Sequence, residues 1–227
     1  MNYKLIATFI SLFPECIDSY INTSILGRAI KNKKIKIRKY QIRDFAFDKH
    51  KTVDDYPYGG GAGQLLKVDI VSQAINAAKI NNIKEKIILL SPRGKLFKQI
   101  DAENLSNYNH IIFVCGRYEG IDFRIEKYVN KIYSIGDYIL TGGELPAMVM
   151  LDAISRQING VLGNNNSKKN ESFEKKLLEY NQYTRPIEFE GHKVPSVLLS
   201  GNHKKIYQMR KKEQIDLTKK NRPDLLK

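Results

Sequence analysis

The most conspicuous candidate for chemistry is a glycine-rich loop at residues 58–63, where Tyr58 precedes four glycines in five positions. Glycine adopts positive φ readily and lets another molecule approach the backbone closely. The loop is not a Walker loop, because no Lys-Ser or Lys-Thr pair follows its last glycine. It is not a dinucleotide fingerprint either, because it lacks the third glycine and follows a polar loop. A nucleic-acid or cofactor contact is favoured, with a flexible turn as the alternative.

The histidines and cysteines do not predict a metal site. None of the four histidines has the spacing of metal ligands. His110 precedes an apolar run and is expected to be structural, whereas His50 lies in a long polar loop and is a candidate substrate contact. Cys16 and Cys115 both have apolar neighbours. This predicts two small buried hydrophobic residues rather than a disulfide or a metal site.

Composition favours a polyanionic partner. The chain has 227 residues, 42% of them hydrophobic, which is enough for one core or for one core and a small satellite. Its formal charge of +14 favours nucleic acid as a partner, although a chain rich in Lys, Asn and Ile is also typical of compositional drift. The apolar patch in residues 1–13 is too short to span a bilayer. The sequence therefore predicts a soluble, cytoplasmic protein with no membrane partner.

Strands and helices alternate along the chain, which predicts an α/β fold. Apolar runs predict strands over residues 4–10, 35–41, 86–90, 111–115 and 131–134. Helices are predicted from Pro14 and over residues 24–31, 68–80 and 145–158. Each of the last three strands gives way to a loop of small, polar and aromatic residues. In open α/β sheets ligands lie beyond the carboxyl ends of the strands, so these three loops are the predicted cofactor site.

The remaining segments suggest a second domain and a subunit contact. The helix predicted at residues 145–158 is almost wholly apolar, which indicates deep burial or contact with another subunit. Residues 163–172 contain few apolar side chains and are typical of a flexible linker. We therefore expect a larger α/β domain over residues 1–162 and a smaller helical domain over residues 173–227, ending in a basic run.

An ordered set of short strings covers essentially the whole chain and resembles bacterial tRNA (guanine-N1)-methyltransferases, the TrmD family. Any one string is weakly specific, but the complete set in this order is very specific. The strings are DF at residues 44–45, HKTVDD at 50–55, YGGG at 58–61, LSP at 90–92, CGRYEGID at 115–122, SIGDY at 134–138, GGELPAM at 142–148, SR at 155–156, GVLG at 160–163, YTRP at 183–186 and VLLSGNH at 197–203.

The resemblance implies the SPOUT fold, an α/β fold whose carboxyl-terminal part forms a deep trefoil knot, followed by a small helical C-terminal domain. It also implies a homodimer with the active site at the subunit interface. The three loops of the knot would hold S-adenosyl-L-methionine in a bent shape. The residues that match the family's binding positions are Leu90, Ser91, Pro92, Gly116, Tyr118, Glu119, Gly120, Ile135, Gly136, Tyr138, Leu140, Gly142, Gly143 and Pro146.

The reaction implied by the resemblance is methylation of N1 of the guanine at position 37 of tRNA, next to the anticodon, which supports reading-frame maintenance. Guanine N1 carries a proton at neutral pH, so the reaction needs a base, and a cation would stabilise charge that spreads to O6. The family uses the Arg that matches Arg156 and an Asp in an Asp-Ser-Phe motif. This chain has Glu171 there, one methylene longer, and a shift of about an ångström can cost about 100-fold in rate.

The resemblance also implies contacts with the tRNA anticodon stem-loop and a dependence on Mg²⁺. The chain has Glu179 where the family usually has Asp, and it stops soon after Leu226, so we expect the last family helix to be missing. The positions that match tRNA contacts are His50, Asp54, Gly59, Glu179, Arg185 and His203.

Two other classes of protein remain as alternatives. A nucleotide-cofactor oxidoreductase would carry a Gly-x-Gly-x-x-Gly turn after the first strand, but residues 9–15 contain no glycine. A non-catalytic RNA-binding protein fits the positive charge and the change from Asp to Glu171. It would bind tRNA without transferring a methyl group.

Overall fold

The computed structural model describes residues 3–163 and 171–227. Contacts between Cα atoms divide the chain into two compact units, Met1–Gly163 and Asn164–Lys227. Much of the predicted linker, residues 164–170, lies outside the described residues. The strands and helices of the first unit are β1 (Leu5–Ser11), α1 (Asp18–Ile21), α2 (Ser24–Lys31), β2 (Ile35–Gln41), β3 (Asp54–Asp55), β4 (Leu65–Leu66), α3 (Val68–Ala78), β5 (Glu85–Leu96), α4 (Gln99–Leu105), β6 (His110–Cys115), β7 (Lys131–Ser134) and α5 (Glu144–Ser155).

The first unit is built on a five-stranded sheet in the order β2-β1-β6-β5-β7. Every pair of neighbouring strands is parallel. This confirms the predicted α/β class and the five predicted strands. Because all the strands are parallel, their carboxyl ends lie at one edge of the sheet, and the loops that follow β5, β6 and β7 meet there.

The core lies on both faces of the sheet, which explains the uninterrupted apolar runs in the sequence. Alternate residues of each strand point to opposite faces. Ile88 and Phe113 pack in a cluster with α1, α2, α4 and α5 on one face. Ile87 and Ile112 pack in a second cluster with α3 on the other face. On the first face the rings of Phe9 and Phe113 stack at 5.3 Å between centroids.

Strand β5 differs from its prediction. We expected it to end at Leu90, but it continues to Leu96 with an irregularity at residues 91–94. Leu90 and Lys95 both pair with Tyr133 of β7, so the four residues between them leave the ladder. Gly94 permits this, because a Cβ at that position would lie 2.6 Å from backbone atoms of Tyr133. The predicted loop is therefore a bulge within a longer strand.

Helix α5 and Cys16 also correct the sequence-based expectations. The helix spans Glu144–Ser155 and buries Ala147, Met150, Leu151 and Ile154, but Leu145 and Val149 are 55% and 51% exposed. Of the two predicted alternatives, deep burial on every side does not hold within one chain, because only one face of the helix meets the sheet; contact with another subunit stays a prediction. Cys16 is exposed, because it lies in a one-turn 3-10 helix (Pro14–Ile17) that buries Ile17 instead. Cys115 is buried as expected, and both cysteines are free.

The second unit is only partly helical. Its elements are β8 (Glu188–Phe189), β9 (His192–Lys193), α6 (Ser196–Leu199), α7 (His203–Asn221) and two 3-10 helices (Glu174–Lys176 and Pro223–Leu226). Strands β8 and β9 form an antiparallel hairpin, which the sequence pattern did not predict. No helix among the described residues is both long enough and apolar enough to cross a membrane.

His110 has the structural role that the sequence predicts. Its ring is fully buried, with Nε2 2.7 Å from the Thr8 hydroxyl and Nδ1 2.7 Å from the Glu85 carboxylate. Burial lowers the pKa of His110 and outweighs the opposing effect of Glu85. The folded protein therefore holds the neutral imidazole, with hydrogen bonds at both ring nitrogens.

This burial predicts a specific loss of stability in acid. The unfolded chain takes up a proton on His110 as the pH falls below about 6.5, before the folded chain does, so the free energy of unfolding should fall through that range. Replacing His110→Gln should cost about 1–3 kcal/mol at pH 7.5, because a buried partner loses its hydrogen bond. It should also reduce the decline between pH 7 and pH 5, as measured by urea denaturation. Equal pH slopes in the two proteins would contradict this assignment.

Candidate active site

A cavity of about 480 Å³ lies beyond the carboxyl ends of β5, β6 and β7. Sites for cofactors typically enclose about 300–1,000 Å³. The structure brings all fourteen residues that match the family's cofactor positions to the wall of this one cavity. They are Leu90, Ser91, Pro92, Gly116, Tyr118, Glu119, Gly120, Ile135, Gly136, Tyr138, Leu140, Gly142, Gly143 and Pro146.

The first wall is the bulge of β5. Because residues 91–94 leave the ladder, Ser91 and Pro92 face the cavity while β5 and β7 stay paired on both sides of them. Arg93 lies at the same wall, with its guanidinium 3.0 Å from the Glu126 carboxylate and 5.6 Å from the centre of the Phe123 ring. The bulge thus places Ser91 and Pro92 at the cavity, with the Arg93–Glu126 ion pair beside them.

The second wall is the loop that follows β6. Tyr118 has φ 58° and Gly120 has φ 126°, so the backbone turns sharply here. The turn is held by backbone hydrogen bonds to the end of the glycine-rich segment, from Glu119 N to Gln64 O at 3.1 Å and from Leu66 N to Gly120 O at 2.9 Å. Gly63 lies directly against the Glu119 side chain. The glycine-rich loop therefore adjoins the cavity without supplying the residues predicted to bind the cofactor.

The third wall, residues 135–143, packs tightly against the second. Gly143 N donates to Gly116 O at 2.9 Å, and a Cβ at Gly143 would lie 2.7 Å from Cys115 Cα. Only glycine permits this approach, because the obstructing atoms belong to the backbone. At the other end of the loop the Ser134 hydroxyl accepts from Gly136 N at 3.2 Å and donates to Gly136 O at 3.0 Å.

A buried carboxylate joins these walls to the sheet. Glu144, the first residue of α5, is 2% exposed. It accepts a hydrogen bond from the Ser11 hydroxyl at 2.5 Å, and Arg117 approaches it to 3.1 Å. Arg117 also donates to Thr141 O at 3.3 Å and lies 4.9 Å from the centre of the Phe13 ring. The network connects the end of β1, the second loop, the third loop and the start of α5.

Two titratable groups near the cavity are held neutral. Burial, together with the nearby Glu144 carboxylate, raises the pKa of the Cys115 thiol. Cys115 is therefore a packing residue rather than a thiolate nucleophile. Burial, with the nearby Asp101 charge, raises the pKa of Tyr133 to about 12. Its hydroxyl donates to Asp101 at 3.1 Å.

The cavity suits a ligand with a flat ring and a cationic group. Leu90, Ile135, Leu140 and Pro146 supply apolar walls, and the glycines leave backbone groups accessible. Glu119 supplies a carboxylate at the same cavity. A metal centre has no comparable support, since the described residues contain no cluster of three or more His, Cys, Asp or Glu side chains suited to a metal ion.

The candidate catalytic and tRNA-contacting residues lie in both units. In the first unit, Arg156 follows the last residue of α5, and His50 and Gly59 lie in exposed loops. Asp54 lies in β3, paired with Leu66. The other four belong to the second unit. Glu171 and Glu179 lie on either side of the 3-10 helix Glu174–Lys176. Arg185 precedes a cis proline, and His203 is the first residue of α7.

Sequence reasoning missed the role of Ser11, Arg117 and Glu144. Arg117 and Glu144 belong to the strings CGRYEGID and GGELPAM that resemble the TrmD family, so the sequence could have indicated them. No sequence pattern indicated Ser11, because only the fold brings the end of β1 to the start of α5, 133 residues later. Arg93 and Phe123 also line the cavity and were not predicted.

A parallel α/β sheet with a cavity beyond its carboxyl edge defines the class of protein in which ligands typically bind at that edge. The sequence matches the family described as tRNA (Guanine-1)-methyltransferase TrmD over residues 5–227. The chain therefore belongs to the TrmD family of tRNA (guanine-N1)-methyltransferases.

Curated relatives agree with this assignment. The tRNA (guanine-N(1)-)-methyltransferase of Dictyoglomus turgidum is 49% identical over 96% of this chain and 88% of its own length. The enzyme of the same name from Clostridium botulinum is 51% identical over 97% of this chain and 92% of its own. The one from Ureaplasma urealyticum is 50% identical over 96% and 95%.

The close contact at Gly143 predicts a selective loss of cofactor binding. In a Gly143→Ala variant the new Cβ would collide with the backbone of Cys115 and separate the second and third loops. We expect affinity for S-adenosylmethionine, measured by titration calorimetry, to fall at least about tenfold, which is about 1.4 kcal/mol. The matched control is Gly163→Ala, since no atom of the described residues other than its chain neighbours lies within 4 Å of a Cβ there. Equal affinities in the two variants would contradict the role of this contact.

Proposed function

We propose that this chain transfers a methyl group from S-adenosylmethionine to N1 of the guanine at position 37 of tRNA, next to the anticodon, and so supports reading-frame maintenance. Membership of the TrmD family gives the tRNA (guanine-N1)-methyltransferase activity. The observation that supports the donor site is the convergence of fourteen residues, spread between Leu90 and Pro146, on one cavity. The cytoplasm remains the predicted location.

The donor would lie among the three loops. When bound, S-adenosylmethionine supplies a methyl group on a positively charged sulfur. Leu90, Ile135 and Pro146 would flank its adenine ring, and glycine backbone at Gly116 and Gly142 would approach the ring edge. Glu119 would favour the cationic end. Because Glu144 and Arg117 fix the second and third loops to α5, the cavity would be preorganised for this ligand.

The proposed acid–base chemistry uses Glu171 and Arg156. Glu171 would accept the proton from guanine N1, which frees the N1 electron pair to bond to the methyl carbon as the carbon–sulfur bond breaks. Arg156 would stabilise negative charge that spreads to guanine O6. The sulfur leaves with its bonding pair as a neutral thioether. Nothing in this scheme requires a nucleophile from the protein, in agreement with the buried thiol of Cys115.

Positive charge on the second unit supports its proposed contact with the anticodon stem-loop. Helix α7 carries seven Lys or Arg residues and two acidic ones. Its first residue, His203, lines a small pocket with Tyr207 and Arg210. Lys and Arg contacts to phosphate supply affinity that falls with salt concentration. In the first unit His50, Asp54 and Gly59 are proposed to contact the loop nucleotides, together with Glu179 and Arg185 of the second unit.

Two structural parts of the proposal go beyond the α/β fold. The exposed apolar residues Leu145 and Val149 of α5 support a homodimer with the active site at the subunit interface, because a second copy would cover them.

The trefoil knot is supported by the path of the chain after β7. From this edge strand it returns past Gly116 and enters α5, which packs against β1 and β6.

Magnesium dependence, which the family resemblance implies, receives no support from the described residues. They contain no cluster of His, Cys, Asp or Glu side chains suited to holding the ion. We therefore assign no step of the reaction to a metal.

The target base gives the first test of this function. Radiolabelled S-adenosylmethionine should methylate a tRNA with guanine at position 37 and leave the same tRNA with adenine there unlabelled. The control is a tRNA in which guanine is moved to a neighbouring loop position. Equal incorporation into the guanine and adenine tRNAs, or none into either, would overturn the assignment. Tight tRNA binding without incorporation would instead favour a non-catalytic RNA-binding protein.

The base assignment gives a second test. Glu171→Gln removes the proton acceptor and should lower the methylation rate at least about 100-fold, at the lower end of what general bases contribute. Binding of S-adenosylmethionine should not change. Glu171→Asp keeps a carboxylate but moves it by about an ångström, so a smaller loss of about 10- to 100-fold is expected. Glu174→Gln, three residues away, is the matched control and should retain far more activity. Full activity of Glu171→Gln would rule out the base role.

A further inference from the structure

Helix α7 runs alongside the segment that follows Glu171, in the opposite direction. Starting from the far end of the segment, the Tyr180 ring lies 4.5 Å from the Arg210 guanidinium. The Asn181 amide donates to the Glu213 carboxylate at 2.5 Å. Nearer to Glu171, the contacts fall on Thr218 and Arg222. Arg210 and Thr218 are eight residues apart in α7, so they share one face of the helix. Arg222 follows the last residue of α7 and caps it, with its backbone N–H donating to Thr218 O at 2.9 Å.

Thr218 is the centre of this face. It is fully buried although its hydroxyl is polar. The hydroxyl accepts from Leu178 N at 2.9 Å and donates to Gln214 O, one turn earlier in α7, at 2.6 Å. A buried hydroxyl with both roles used is directed by its partners and cannot rotate freely. Thr218 therefore fixes the backbone at Leu178 to the helix.

Arg222 holds the other end of the segment. Phe173 has φ 75°, in the left-handed region that a bulky residue rarely adopts. Its N–H donates to Leu177 O at 2.7 Å, which closes a tight turn. Its ring lies 5.7 Å from the Arg222 guanidinium. Asp224 orients that guanidinium through two hydrogen bonds of 2.9 and 2.8 Å.

Glu171 lies immediately before this turn and is bonded to it. Glu174 N donates to Glu171 O at 3.2 Å. The Ser172 hydroxyl accepts from Glu179 N at 3.0 Å, which joins the start of the turn to the residues beyond it. The backbone of Glu171 is thus connected to Leu178 and Phe173, the two residues that α7 holds.

We propose that Thr218 and Arg222 are positioning residues for the reaction, which set the location of the Glu171 carboxylate through the turn at residues 172–178. This inference rests on the base role of Glu171 proposed above. It assigns to the carboxyl-terminal end of α7 a function in the chemical step, in addition to any contribution of its positive charge to RNA affinity.

The test compares Thr218→Val and Arg222→Ala with the unchanged chain. Valine keeps the shape of threonine but cannot accept the Leu178 N–H. Each change should lower kcat about 10- to 100-fold, the size expected for a displacement of about an ångström. KM for S-adenosylmethionine should not change. Thr218→Ser, which keeps the hydroxyl, should restore most of kcat. Thr218→Val could prevent folding of the second unit, because Thr218 is fully buried. Arg222→Ala then tests the positioning role by itself, because the Arg222 side chain is partly exposed and its removal leaves no buried cavity.

Lys219→Ala separates positioning from RNA affinity. Lys219 is an exposed cation in the same turn of α7 as Thr218. Its replacement should raise KM for tRNA, as should Arg222→Ala, but only Arg222→Ala should lower kcat. An equal kcat in the two variants, with only KM altered, would overturn the positioning role of Arg222.

A double-mutant cycle distinguishes this inference from the base assignment. If Thr218 acts through Glu171, Thr218→Val should cause little further loss of rate in a Glu171→Ala background. A full multiplicative loss there would contradict the proposal. If Glu171→Gln itself is fully active, the base assignment fails and the positioning role fails with it. If Glu171→Gln is inactive while Thr218→Val and Arg222→Ala keep the normal kcat, only the positioning role is wrong.

Discussion

The candidate donor site depends on the burial of one carboxylate. Glu144 lies at the amino end of α5, where the helix dipole favours negative charge; it is paired with the Arg117 guanidinium and accepts a hydrogen bond from the Ser11 hydroxyl. A buried carboxylate is tolerated only when paired and hydrogen-bonded, so each of these partners must stay in place. Since the partners come from β1 and from the loop after β6, the same interaction that satisfies the charge also fixes the loops around the cavity.

Close backbone packing supplies the rest of the geometry. Gly143 against Cys115 and Gly94 against Tyr133 are two contacts in which a Cβ would meet backbone atoms. Both occur where a loop of the cavity leaves the sheet. No buried side-chain nitrogen or oxygen atom in the described part of the chain lacks a hydrogen-bond partner. The cavity is therefore held by glycine contacts and satisfied polar groups, so its shape can exist before a ligand arrives.

The chemistry proposed for this chain is divided between units of different character. The first unit has a large apolar core on both faces of a parallel sheet. The second has little core, a basic helix and short elements held by polar and cation–π contacts. In the second unit, directional contacts such as that of Thr218 with Leu178 replace apolar packing. This explains why a substitution in α7 is expected to affect the turn next to Glu171.

The sequence by itself determined the α/β class, the five strands of the main sheet, the structural role of His110 and the burial of Cys115, because apolar periodicity and local propensity are encoded locally. It also indicated which residues would gather beyond the strand ends, although their binding role remains a prediction. It was wrong about Cys16 and about the end of β5, and it left open whether α5 is buried within the chain or against another subunit. Only the tertiary structure decided these points, together with the Ser11–Glu144–Arg117 network and the contacts of Thr218 and Arg222. Each depends on residues far apart in sequence, and their proximity is set by strand order and packing rather than by any local pattern.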